Sequence, residues 1–205
     1  MSAPAVLAFA ASLRAGSLNR KLLQVAARHL ETLGVTVDSF DLVAADVPVF
    51  NDDVLAAGVP PGVADFKARV AKASAVLIVT PEYNYGVPGV LKNLIDWASR
   101  PPPTNPFKGK LTAHLGATPG GGGTIQSQLQ LRHLLSMGVG AWVLPGAAFG
   151  LSHADQAFDA AGGLIDEAAK KNLHAFLGRF AAERARLGVH PVVDRVYPLE
   201  QLPAA

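Results

Sequence analysis

Apolar positions along the chain fall into segments of two alternating kinds. Residues 5–10 (AVLAFA) and 75–80 (AVLIVT) are short continuous apolar runs, the pattern of strands buried on both faces. Residues 35–40, 111–118 and 141–144 extend the series to five strands, the last with a continuation through Ala147 and Phe149. Between them the spacing turns helical. From Ser17 onward Leu22, Val25, Ala26, Leu30 and Leu33 recur every three or four positions until Gly34 stops the pattern. Residues 61–72, 88–99 and 124–137 predict three more helices, the second presenting Leu91, Leu94, Ile95 and Ala98 on one face. A fifth packs through Ile165, Ala169, Leu173, Phe176 and Phe180. The stretch holding Asp46, Pro48, Asn51, Asp52 and Asp53 reads as a loop. Residues 188–205, with Pro191, Pro198 and Pro203, read as an irregular tail behind one domain over 1–187.

Strands alternating with helices predict an α/β fold, a doubly wound parallel sheet with helices on both faces. Five strands suit the flavodoxin-like order 2-1-3-4-5, three layers deep, better than a six-strand Rossmann order. The order reverses between strands one and three. Ligand binding is then expected on the loops after Ala10 and Thr80, where those strands end.

Composition narrows the chemistry. The chain has 205 residues and no cysteine, so thiolate metal sites, disulfides and cysteine nucleophiles are excluded. Half the residues are hydrophobic and 17% are charged, which excludes disorder. The 18 basic residues exceed the 16 acidic ones by two and are scattered, so neither a nucleic-acid stripe nor a membrane-binding helix is expected. No apolar run reaches the roughly 18 residues of a membrane span, and no basic residue precedes the first apolar run as in a signal peptide. A cytoplasmic location is therefore expected. The six histidines show no metal-binding spacing, and no Ser-His-Asp arrangement or G-x-S-x-G elbow is present. Any reaction would draw its chemistry from a cofactor.

Three loops are chemically distinctive. The first, over 11–20, offers Ser12, Ser17, Asn19, Arg14 and Arg20 beside a helix N-terminus, where free N–H groups favour a phosphate. It is neither G-x-G-x-x-G nor Walker A, and its plainer reading is a turn capped by Ser17. The second, over 80–89 (TPEYNYGVPG), sets two tyrosines in a turn bounded by Pro and Gly, suited to a planar ligand or simply to an aromatic turn. The third, over 116–124, carries four consecutive glycines that permit close backbone approach to a ligand, or make a flexible linker.

Ser12-Leu-Arg-x-x-Ser17-x-Asn19-Arg20, the run over 80–85 and PGVLKNLIDW at 88–97, with Phe107-Lys-Gly-Lys110, resemble the NADPH-dependent FMN reductase family over about residues 4–180. The resemblance implies a flavodoxin-like fold and an FMN cofactor that carries the chemistry, with no catalytic side chain and no metal. It implies that Ser12, Arg14, Ser17 and Asn19 hold the FMN phosphate. Pro81, Glu82, Tyr83 and Asn84 would line the isoalloxazine, and Thr118, Gly120, Gly121 and Gly122 its far side. Hydride would pass from NADPH or NADH to the flavin and on to a quinone, azo, flavin or metal-oxyanion acceptor with ping-pong kinetics, in a homodimer or homotetramer. Arg14 is also a candidate for attracting the phosphates of the nicotinamide donor. Family members commonly carry Gly where this chain has Ala11. The alternative is a flavodoxin-type electron carrier or redox sensor without nicotinamide turnover, although such carriers are usually acidic.

Overall fold

A computed structural model describes residues 4–188. Strand β1 (Val6–Ala10) leads through the first loop into α1 (Leu18–Thr32), whose N-cap Ser17 accepts a hydrogen bond from the Arg20 amide. Then follow β2 (Val37–Ser39), α2 (Asp52–Ala57), α3 (Pro61–Lys72), β3 (Ala75–Val79) and α4 (Gly89–Ala98). The second half holds β4 (Leu111–Ala117), α5 (Ile125–His133), β5 (Trp142–Val143), β6 (Phe149–Leu151) and α6 (Glu167–Leu187). All strand pairs are parallel, and the order is β2-β1-β3-β4-β5 with β6 also on β4. This is the flavodoxin-like topology expected from the alternation.

The pleat divides each central strand between two cores. Val6, Ala8 and Ala10 pack with Leu22, Ala26 and Leu30 of α1 and with Leu173, Phe176 and Phe180 of α6. Leu7 and Phe9 point the other way, onto Phe66 and Val70 of α3 and Leu91, Leu94 and Ile95 of α4. Phe9 anchors that second layer by edge-to-face contacts with Phe66, at 5.4 Å between ring centroids, and with Phe40 at 6.3 Å. Register then places the loops. Ala10 pairs with Val79, so the first and second loops leave the sheet side by side. Leu115 lies level with Val79, which brings Ala117 and the glycine loop to the same end.

The elements depart from the apolar pattern in five places. Residues 35–40 form only the three-residue β2, because that strand lies at the sheet edge and pairs with β1 alone. The acidic stretch read as a loop holds α2, started by Asn51, whose side chain accepts from the Asp53 amide. The expected fifth strand is split. Its first part, β5, pairs with the start of β4, and β6 pairs with the end. The fourth helix continues past His133 only as a π-turn over Leu134–Gly138. Finally, α6 starts at Glu167 behind its cap Asp166, leaving Ile165 outside it and 52% exposed. The expected tail, apart from Gly188, lies outside the described residues.

Candidate functional site

The carboxyl ends of β1, β3 and β4 deliver three loops to one end of the sheet. A cavity of about 410 Å3 opens there, lined by Ser12, Arg14, Gly16, Ser17, Asn19 and Lys21 together with Tyr83, Ala117, Pro119 and Asp155. Arg14 and Lys21 line it beside the N-terminus of α1, with Asp155 as the one carboxylate among its lining residues. Ser12 and Ser17 are buried. The Ser17 oxygen accepts from the Arg20 amide at 3.3 Å, which leaves its O–H free to donate outward. A side chain at Gly16 would meet nothing within 4 Å, so the loop is open on its outer side. Buried hydroxyls, two cations and a helix start are the donor set that a phosphate dianion requires, and the residues present fit that group. Ala11 does not intrude, because its methyl group packs in the core with Leu7 and Phe9.

Asn19 is placed differently from its loop neighbours. Its amide donates to the Ala117 carbonyl at 2.9 Å and its carbonyl accepts from the Ala117 N–H at 2.9 Å. It therefore ties the start of α1 to the end of β4 and reaches the cavity only from behind. Arg14 donates to the Gly16 carbonyl at 2.9 Å, which folds the guanidinium back over the loop.

The second loop is a two-residue turn. Tyr83 and Gly86 exchange backbone hydrogen bonds around Asn84 and Tyr85, which sit in the left-handed region at φ 50° and 59°. Such a conformation is unfavourable for tyrosine by about 1 kcal/mol, so the surroundings must hold it. Tyr83, which lines the cavity, is 54% exposed, and Tyr85 on the same turn is 78% exposed. The Glu82 side chain turns away from the cavity. Its Oε2 accepts from the amides of Gln126 and Ser127, at 2.8 and 3.0 Å, at the start of α5.

The glycine loop is anchored. The Thr118 amide donates to Leu151, and His153 and Ala154 donate to the carbonyls of Gly120 and Thr118. The Ser152 hydroxyl donates to Gly121 at 2.8 Å. The cavity thus gathers Ser12, Arg14, Ser17, Asn19 and Tyr83 from the sequence-based set. Pro81, Glu82, Asn84, Thr118, Gly120 and Gly121 lie beside it in the two adjoining loops, and Gly122 lines a neighbouring cavity of about 390 Å3 with His114 and Arg132. Another groove, of about 590 Å3, runs between α1 and the segment after β2 and contains none of these residues.

Behind the glycine loop lies a buried polar cluster that the apolar pattern conceals. Gln128 donates through Nε2 to Gly123, Thr124 and Phe149, so its Oε1 faces His114 Nδ1 at 3.2 Å. That arrangement makes Nδ1 the protonated nitrogen. Burial pushes the His114 pKa down to about 4, helped by the nearby Arg132 charge and opposed by the bond to Gln128. His114 is neutral at pH 7, and its Nε2 has no partner among the described residues. The clue in the sequence was the QSQLQ run: α5 buries Ser127 and Gln128 and exposes Ile125 and Leu129, the reverse of an ordinary amphipathic helix. Among the described residues no group of three His, Asp or Glu side chains is placed to hold a metal, and no helix is long and apolar enough to cross a membrane.

Comparison with known proteins agrees with this geometry. Residues 4–156 match the family model described as NADPH-dependent FMN reductase. An NAD(P)H-dependent FMN reductase of Pseudomonas aeruginosa is 43% identical over 169 residues, covering 81% of this chain and 87% of its own. A 2-hydroxy-1,4-benzoquinone reductase of a Burkholderia species is 35% identical, over 83% of this chain and 91% of its own. The solved flavoenzyme NAD(P)H:acceptor oxidoreductase FerB of Paracoccus denitrificans superposes with a TM-score of 0.79 at 36% identity, covering 89% and 98% of the two chains. With more than half its length matched by the family model, the chain belongs to the NADPH-dependent FMN reductases, oxidoreductases that use FMN and NAD(P)H.

Proposed function

We propose that the protein reduces small acceptors of the quinone, azo, free-flavin or metal-oxyanion class with electrons from NADPH or NADH, through FMN held at the three-loop end of the sheet. The observation that carries this reading is the cavity at the start of α1, where buried serines and two cations meet an exposed tyrosine. Ser12, Arg14 and Ser17 bind the phosphate, with Asn19 fixing their loop. Main-chain groups over Pro81–Asn84 meet one edge of the ring system, and Thr118, Gly120, Gly121 and Gly122 close on the other side. When bound, FMN accepts a hydride equivalent and gives up electrons to the acceptor. The protein orients donor and acceptor in turn on one face, so the kinetics are ping-pong, and Tyr83 and Tyr85 exclude water from that face. Residues 1–187 constitute this reductase domain.

The protein works as a homodimer or homotetramer in the cytoplasm. Support for assembly comes from the outward face of α5 and its π-turn, where Ile125, Leu129 and Met137 are 57%, 57% and 75% exposed. Light scattering on a sizing column checks the assembly.

The decisive experiment mixes FMN-loaded protein anaerobically with NADPH and follows the visible flavin band, then adds a benzoquinone. Bleaching followed by recovery is expected, with parallel double-reciprocal plots at varied quinone. Tight FMN binding without bleaching by either nicotinamide would overturn the reductase reading and leave an electron carrier or sensor.

A further inference from the structure

Helix α5 touches the tyrosine loop at several polar points. Beyond the Glu82 carboxylate on the amides of Gln126 and Ser127, the Ser127 hydroxyl donates to the Pro81 carbonyl at 3.0 Å. One turn further, Gln130 donates through Nε2 to the Tyr85 carbonyl at 3.0 Å and accepts through Oε1 from the Val87 amide at 3.2 Å. Gln130 therefore grips the downstream arm of the left-handed turn, on either side of Gly86. The same helix holds the glycine loop, through Gln128 on the carbonyl of Gly123.

The start of α5 explains why the grip comes from outside. Its N-cap is Thr124, in the left-handed conformation at φ 61° and without a side-chain cap. The Ile125 amide donates to the Gly122 carbonyl, but those of Gln126 and Ser127 get no acceptor from the cap side chain. Glu82, 44 residues earlier, supplies it from a different loop. A carboxylate at that position also meets the positive end of the helix dipole.

We infer that Glu82 and Gln130 are positioning residues: together with α5 they clamp the tyrosine and glycine loops into one unit, fixing the gap that receives the flavin ring. This rests on the reading that the ring lies between those loops, but the clamp itself is a property of the protein without flavin. Neither side chain touches the reacting atoms.

The test compares wild type with Glu82→Ala, Glu82→Gln and Gln130→Ala. Hydrogen exchange of the flavin-free proteins is measured first. Glu82→Ala should speed exchange by about tenfold or more in peptides over 81–87 and over 118–128 together, with β1 and α6 unchanged. Gln130→Ala should do so mainly over 81–87. Glu82→Gln keeps an acceptor oxygen for both amides and should restore most of the protection. With FMN and NADPH, Glu82→Ala should then lower the bleaching rate at saturating donor by about tenfold while the half-saturating concentration moves little. Unchanged exchange in Glu82→Ala, acceleration in one loop alone, or a Glu82→Gln protein as fast as Glu82→Ala would each overturn the clamp. A wild type that binds no FMN would defeat the proposed function while the exchange data still decide the clamp.

Discussion

Acidifying the protein from pH 7 to pH 5 should weaken its fold by about 2 kcal/mol through His114 alone. The imidazole titrates at 6.5 in the unfolded chain and at about 4 in the folded one, where burial disfavours the cation. A lowered folded value means that the unfolded state takes the proton first. The stabilisation is complete above pH 6.5 and drains away as the pH falls from there towards 4. The full shift corresponds to about 3 kcal/mol, of which the part lost by pH 5 is the figure above. Urea unfolding of wild type and His114→Gln at pH 7 and pH 5 isolates the effect. His29, lowered by burial and by the stacked His174 ring at 3.7 Å, titrates in both proteins and cancels. The wild type should lose about 2 kcal/mol more than the variant over this range. An equal loss in both, or an imidazole resonance with its midpoint near 6.5, would refute the reasoning.

Three other perturbations follow from the geometry. Asn19→Ala strands the N–H and carbonyl of Ala117, so it should cost about 3 kcal/mol in chemical denaturation and raise the FMN dissociation constant about tenfold; an unshifted melt would contradict the tie between α1 and β4. Gly116→Ala would drive a methyl group into Thr124 Oγ1 and the Thr80 carbonyl, with an expected loss of about 2 kcal/mol by urea titration and weakened flavin binding. Arg14→Ala should raise the apparent KM for NADPH more than that for NADH in steady-state assays, whereas equal effects on both would confine Arg14 to the flavin phosphate.

The central strands were legible because burial on both faces leaves almost no polar position in β1 and β3. The order followed from strand count and alternation, and the loops from where those strands end. What escaped notice had local causes. Helix α2 buries no residue, so it has no apolar period, and only the Asn51-Asp-Asp53 capping signal marks it. The fifth strand was read over 141–144 with a continuation through Ala147 and Phe149; the Pro145-Gly146 break marks the interruption, but the sequence does not show that the second piece pairs with the far end of β4 as a strand of its own. Glu82 belonged to a recognisable motif, but its partner lies 44 residues away on α5, a distance at which periodicity carries no information. Gln128 was hidden because its polarity suggests solvent, whereas here it is buried, and Gln130 because an exposed glutamine that binds a neighbouring loop reads the same as one that faces only water.

The split of the last strand has a consequence for how the molecule meets its own kind. Along the outer side of β4, β5 covers Leu111 and Thr112 and β6 covers Leu115 to Ala117, while residues 144–148 swing away opposite Ala113 and His114. Among the described residues, this flank presents no long unbroken main-chain ladder for a foreign strand to dock against, which is a recognised defence against amyloid-type stacking. Association on this flank must therefore be written in side chains, where single substitutions can tune it without putting the sheet at risk.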